Sequence, residues 1–259
     1  MLLGRWVVTG SRQNLSLGSD PTAPASPPTV VETRFPAGLR AGTGPVSWKG
    51  WEVGDPAAIQ KSKLYLSFWV KINGTDYENE PVGTKFGFIG YGIRPGGPDN
   101  SLYFVLKGVG RRVAKPRFQI RAAQQQGTER SLVQNADGRP LMTVGEWHQW
   151  EALLELNDMG AANGVLRVWI DRTLVIDYRN VVYIKPDRPF GFYMWKWNPT
   201  WGGRGPEPRS RDDFVFIDQV YMSGVPFANA PVPKDRAPGG GNKTGNLEHE
   251  RPDTGSNDN

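Results

Sequence analysis

What most constrains this chain is the recurrence of strand-length runs in which apolar side chains alternate with other residues, separated by segments rich in glycine and proline. Lys63 to Ile72, KLYLSFWVKI, is the cleanest. Leu64, Leu66, Phe68, Val70 and Ile72 fall on one face, and Tyr65, Ser67, Trp69 and Lys71 on the other. A period of two reads as a strand with one face in a core. The second face mixes rings with polar groups, as a half-solvated or ligand-facing sheet does.

Further strands follow in order. They are predicted at 5–9, 13–17, 29–35, 83–91, 101–107, 115–123, 165–170 and 173–178. The last two form a hairpin around Asp171-Arg172. GEWHQWEALLEL (145–156) suits a helix by composition, but 147–156 also alternates and is read as a strand leading into that hairpin. Asp20 to Pro28 is too rich in proline for a helix or a central strand. Residues 36–54 read as a glycine-rich loop whose Trp48 and Trp51 cap the core or flank a groove, capping being preferred. Asp213 to Ser223 closes the sheet. The architecture expected is all-β: one antiparallel sandwich over residues 1–223, followed by a disordered tail at 224–259 that is poor in apolar residues.

Composition excludes several chemistries. Cysteine is absent, so there are no disulfides, thiolate metal sites or cysteine nucleophiles. His148 and His249 are the only histidines, too few for a histidine-rich metal centre. The net charge of +5 is a mild bias toward polyanions. No basic run of the nucleic-acid-binding kind occurs, and no window is apolar enough to span a membrane. The N-terminus, MLLGRWVVTG, has neither the basic start nor the apolar core of a signal peptide.

The densest aromatic stretch is FGFYMWKWNPTWGG, Phe190 to Gly203. Alternation puts Phe190, Phe192, Met194 and Lys196 on one face and Tyr193, Trp195 and Trp197 on the other. Such a strand is either plain core or a platform for sugar rings. The strand at 115–123 sets Phe118 and Ile120 against Arg117, Gln119 and Arg121, a polar face that is either solvated or ligand-bearing.

The order of NLSLG, KLYLSFWVKI, GTKFGFIGY, GEWHQWE, NGVLRVWID, WNPTWGG and FIDQVYMSG resembles the concanavalin A-like jelly rolls, a superfamily that includes bacterial polysaccharide lyases and lectin-like domains. The likeness covers roughly residues 13–224. It implies two curved sheets with a glycan on the concave face, and an extracellular or periplasmic location. In alginate lyases of this fold a Gln-Ile-His strand supplies a carboxylate neutraliser and a base; the matching run here is Gln119-Ile120-Arg121. Their lysine-and-tyrosine motif is matched loosely by Tyr193, Lys196 and Asn198. The Glu-x-Asp-x-x-Glu strand of laminarinase-type glucanases is missing. Asp218 matches a closing-strand aspartate that helps hold a structural Ca²⁺ in those enzymes, or it is a hydrogen-bonding residue. No other cofactor is implied.

Paired carboxyls for glycoside hydrolysis sit about 5–9.5 Å apart. Glu151 and Glu155 are four residues apart, about 13–14 Å along one strand, and no strand offers carboxylates two apart on an aromatic face. β-Elimination of a uronate asks instead for a carboxylate neutraliser, a base and an acid. Arg121 and Gln119 suit the first role, and Tyr193, Tyr91, Lys85 or His148 the others. Binding alone would use Trp69, Tyr91, Trp195, Lys196, Trp197, Asn198 and Trp201. The sequence reading therefore ranks recognition of an acidic polysaccharide by a monomer first and a polyuronate lyase second. A structural or surface-coat protein comes third.

Overall fold

The computed structural model describes residues 7–10, 12–52, 62–73, 84–92, 101–108, 117–124, 131–133, 142–201 and 208–223. Within these, side chains are described except at 7–10, 49–52, 106–108, 117–124 and 131–133. The tail at 224–259 lies outside the described residues.

Two antiparallel sheets form a sandwich. Sheet A runs in the order β1 (Val7–Gly10), β4 (Val46–Glu52), β14 (Phe190–Thr200), β6 (Thr84–Gly92), β7 (Ser101–Gly108), β8 (Arg117–Gln124) and β10 (Met142–Thr143), and β9 (Ser131–Val133) also pairs with β8. Sheet B runs β13 (Thr173–Val181), β12 (Gly164–Ile170), β11 (Trp147–Glu155), β5 (Lys63–Asn73), β15 (Asp213–Ser223), β3 (Thr29–Phe35) and β2 (Leu15–Ser19). The ambiguous 147–156 segment is a strand. It lies between β5 and β12, where every second residue can enter the core.

The expected loop at 36–54 is corrected: its second half is β4, which pairs with β1 and β14. Trp48 is the reason a strand there is worth forming. It is buried, its ring 5.2 Å from Trp195 and 6.1 Å from Trp197, which bears out the capping role. The β12–β13 hairpin turns on Asp171 (φ 48°) and Arg172 (φ 66°), the left-handed pair that a two-residue turn demands even without glycine.

Aromatic rings from both sheets knit the core. Phe68 of β5 lies 6.0 Å from Trp197 of β14, and Trp150 of β11 lies 5.4 Å from Phe104 of β7, both edge-on. Edge-to-face rings gain attraction beyond their buried area. Trp195 is 1 % exposed and Trp197 is fully buried, so neither ring can stack a sugar. Tyr91 is likewise sealed, 5.2 Å from the Tyr183 ring.

The segment 20–28 crosses the outer side of sheet B and is pinned at two carboxylates. Asp20 accepts from Lys71 Nζ at 2.7 Å, Trp147 Nε1 at 3.2 Å and Thr22 N at 2.8 Å. Burial alone would raise its pKa, but Lys71 and Thr22 outweigh burial and lower it from 3.8 to about 2. A carboxyl depressed on folding stabilises the fold above its unfolded pKa and loses that contribution as pH falls through the folded value. Asp20→Asn is therefore expected to lower the denaturation midpoint at neutral pH. The gap to wild type narrows below pH 3.8 and closes near pH 2. Chemical denaturation across pH measures it, and a gap that persists at the acid end contradicts it.

The second pin is Asp218. Its carboxylate accepts from Ala25 N at 2.7 Å, Ser26 N at 3.0 Å and the Ser26 hydroxyl. These bonds occupy both oxygens, as the hydrogen-bonding alternative requires. Among the described residues no three His, Asp or Glu groups stand together to hold a metal ion.

Candidate functional site

Four strands of sheet A are free of acids, whereas sheet B mixes both signs, its cations being Arg34, Lys63, Lys71, Arg167 and Arg179. The four adjacent strands β14, β6, β7 and β8 carry Lys196, Lys85, Lys107, Arg117 and Arg121 and contain no Asp or Glu. Sheet B holds Glu32, Glu151, Glu155, Asp177, Asp213 and Asp218. A face lined by one sign of charge over a low-dielectric wall raises the local concentration of its counter-ion. Of the five cations on β14, β6, β7 and β8, the side chains of Lys85 and Lys196 are described, and both stand on the outer side of sheet A.

Local irregularities aim its side chains. In β6 the pairing with β7 slips between Lys85 and Phe88, a bulge that leaves Phe86, Gly87 and Ile89 toward the core and turns Lys85 and Phe88 to the other side of the sheet, where Phe88 is covered by its neighbours and 5 % exposed. Regular alternation would have put Phe88 inside. From Trp195 onward β14 alternates buried Trp195, Trp197 and Pro199 with half-buried Lys196, Asn198 and Thr200. In β7, Leu102 and Phe104 enter the core, so Tyr103 points outward.

The outcome is a row of two cations and two rings. Lys196 lies opposite Phe88, which lies opposite Tyr103. Lys196 Nζ stands 5.4 Å from the Phe88 ring centre, Phe88 lies 5.6 Å from Tyr103, and Lys85 Nζ stands 5.0 Å from the Tyr103 ring. Such contacts contribute about 0.5–1 kcal/mol each and hold the ammonium groups in place. Next to this row the backbone register runs from Thr200 through Lys85 and Val105 to Arg121. Gly90 closes one side: a Cβ there would meet Tyr193 Cζ at 2.8 Å and Met194 Cε at 3.1 Å.

Of the residues picked from sequence, Lys85, Lys196 and Asn198 share this face. Gln119 and Arg121 lie on β8, opposite Lys107 and Val105, with side chains outside the described set. The others are elsewhere. Tyr193 is 5 % exposed, packed over Gly90. Trp201 is buried, with the Arg209 guanidinium 4.2 Å from its ring centre, so that face of the indole is already taken. Trp69 belongs to β5, in sheet B.

His148 is also in sheet B, and it serves as a tie. Its Nδ1 faces Asp171 Oδ2 at 2.7 Å, and its Nε2 accepts from Thr143 N at 3.1 Å. With Nδ1–H given to the carboxylate and Nε2 accepting a backbone proton, the ring has no free nitrogen for a substrate. Phe88 and Tyr103 are the members of the row that the sequence reading missed. The outward slot between Leu102 and Phe104 was the available signal for Tyr103.

Solved structures share this two-sheet arrangement. A marine PL-14 alginate lyase from Aplysia kurodai superposes with a TM-score of 0.59 at 11 % identity, over 85 % of this chain and 91 % of that one. The fold is the concanavalin A-like jelly roll. A mutant of alginate lyase Aly36B in complex with alginate trisaccharide gives a TM-score of 0.56 at 14 % identity, over 76 % of this jelly roll and 82 % of the lyase. Alginate lyase vAL-1 from a Chlorella virus gives 0.51 at 13 %, over 84 % and 92 %. At such identities the likeness is one of fold. No protein-family model matches the chain, and no curated protein matches it. Among the described residues no helix is long and apolar enough to cross a membrane.

Proposed function

We propose that this jelly roll is a polysaccharide lyase that takes a polyuronate on the outer face of sheet A and cleaves it by β-elimination. The observation that carries the proposal is the acid-free, cationic quartet of strands with the Lys196–Phe88–Tyr103–Lys85 row upon it. The likeness to three alginate lyases supports it.

The chemistry fits the groups. Lys85 and Lys196 neutralise the uronate carboxylate, which acidifies the C5 proton, and Arg121 follows at the next register position on β8. Tyr103, beside Lys85, is the proton-transfer group. The Tyr103 oxygen takes the C5 proton, the electron pair forms the C4–C5 double bond, the C4–O bond breaks, and the same tyrosine hydroxyl returns a proton to the leaving oxygen. Paired-carboxyl hydrolysis has no support on these strands, which hold no carboxyl. Recognition without cleavage loses its main support, because the Trp195 and Trp197 rings proposed as platforms are buried.

Incubation with alginate or polyglucuronate is expected to raise the ultraviolet absorbance of an unsaturated uronate, and incubation with a neutral glucan is not. Retention of polyuronate with no rise in absorbance would leave binding alone. Neither retention nor rise would remove the proposal.

A further inference from the structure

The outer side of sheet B carries a second arrangement that the proposed reaction does not use. Glu151 of β11 stands opposite Trp169 of β12 on one side and Ser67 of β5 on the other, with Tyr221 of β15 opposite Ser67. Tyr65 donates its hydroxyl to Glu151 Oε2 at 2.5 Å, and its ring lies 6.0 Å from that of Tyr221. The neighbouring row pairs Trp69 with Gln149, whose amide reaches Ser67 Oγ at 3.4 Å. Tyr65 and Trp169 stand outside the inter-sheet core, while Trp69, Gln149 and Tyr221 form a half-exposed rim.

Two polar atoms here have no partner among the described residues: Glu151 Oε1 and Trp169 Nε1. Their residues are 1 % and 6 % exposed and directly opposed on neighbouring strands. The pair leaves one acceptor and one donor open to a ligand group. Oε1 is an acceptor and the indole N–H is a donor only. A single hydroxyl satisfies both, donating to the carboxyl and accepting from the indole. An anionic group would meet the Glu151 carboxyl itself, with Arg172 the cation near it. Burial lifts the Glu151 carboxyl above its usual range, against the Tyr65 hydroxyl and the Arg172 charge, which lower it.

We propose that this patch is a second glycan-binding site, for a neutral, hydroxyl-rich sugar. Trp69 supplies the stacking rim, and Glu151 Oε1 and Trp169 Nε1 share one sugar hydroxyl. Entry of the sugar turns the Tyr65 ring aside. The site is independent of the reaction assigned to sheet A.

Calorimetric titration with neutral oligosaccharides of glucose, mannose and xylose, and with an oligoglucuronate, tests it. At least one neutral sugar is expected to bind. Trp169→Phe, which removes only the N–H and part of the ring, weakens it about tenfold, and Trp69→Ala weakens it at least as much. Lys196→Ala leaves neutral-sugar binding unchanged, and Trp69→Ala leaves oligoglucuronate binding unchanged. The proposal is overturned if no neutral sugar binds, or if binding survives Trp169→Phe and Trp69→Ala intact. A crystal structure with sugar present, in which Tyr65 is unmoved and one ordered water bridges Oε1 and Nε1, overturns it equally.

Discussion

Tyr103→Phe is expected to lower kcat on a polyuronate by about 10²–10⁴-fold, the range in which a positioned acid or base contributes. The substitution removes a hydroxyl and keeps the ring between Phe88 and Lys85, so the packing at 5.6 Å and the cation contact at 5.0 Å both remain. KM and the unfolding midpoint should therefore change little. Lys85→Ala and Lys196→Ala differ in kind. Each removes a charge that meets substrate carboxylates in the ground state as well as the transition state, so KM rises along with the fall in kcat. Their effect shrinks as salt screens the charges. Steady-state rates on purified variants separate the two patterns. Wild-type turnover by Tyr103→Phe would move the proton transfer to another group.

The largest effect on stability is expected at Arg209. Its side chain is fully buried, paired with Asp213, stacked 4.2 Å from the Trp201 ring centre and 5.4 Å from Phe35. Its backbone also joins two segments, accepting from Gly38 N at 2.8 Å and donating to Leu39 O at 3.1 Å. Arg209→Ala leaves the Asp213 carboxylate buried without its guanidinium, a loss of about 3–5 kcal/mol. Arg209→Lys keeps the charge but cannot stack a planar group on the indole, and should recover only part of that. Adding Asp213→Asn to Arg209→Ala should restore part of the loss, because the uncompensated charge is gone. Denaturant unfolding of wild type, Arg209→Ala, Asp213→Asn and the double variant measures this cycle. Additive losses would mean that the pair is not coupled.

Much of the fold was legible because the alternation is physical: β5, β11 and β12 send every second side chain into the inter-sheet core, and the sequence shows it. β4 was hidden because Gly50 and a polar neighbourhood mask the value of burying Trp48 against Trp195 and Trp197. The site was half legible. Lys85 and Lys196 were picked out, and the absence of acids from four strands was there to be read. The aromatic count misled, since large rings are worth most between sheets, where Trp195 and Trp197 reside. Period-two reasoning also fails at a bulge. The slip in β6 brings Phe88 out, and the irregular pairing of β14 between Phe190 and Met194 lets Phe192 pack against Tyr183 in the same core as Trp195. Bulges depend on which strand lies alongside, and the chain alone does not reveal its neighbours.

A crystal structure with a short oligouronate bound puts the matter most directly. Sugar rings should lie across β14, β6 and β7 on the outer side of sheet A, with carboxylates at Lys85 and Lys196 and the reacting C5 within reach of Tyr103. An oligouronate seated on sheet B, or one that leaves both lysines untouched, would contradict the account.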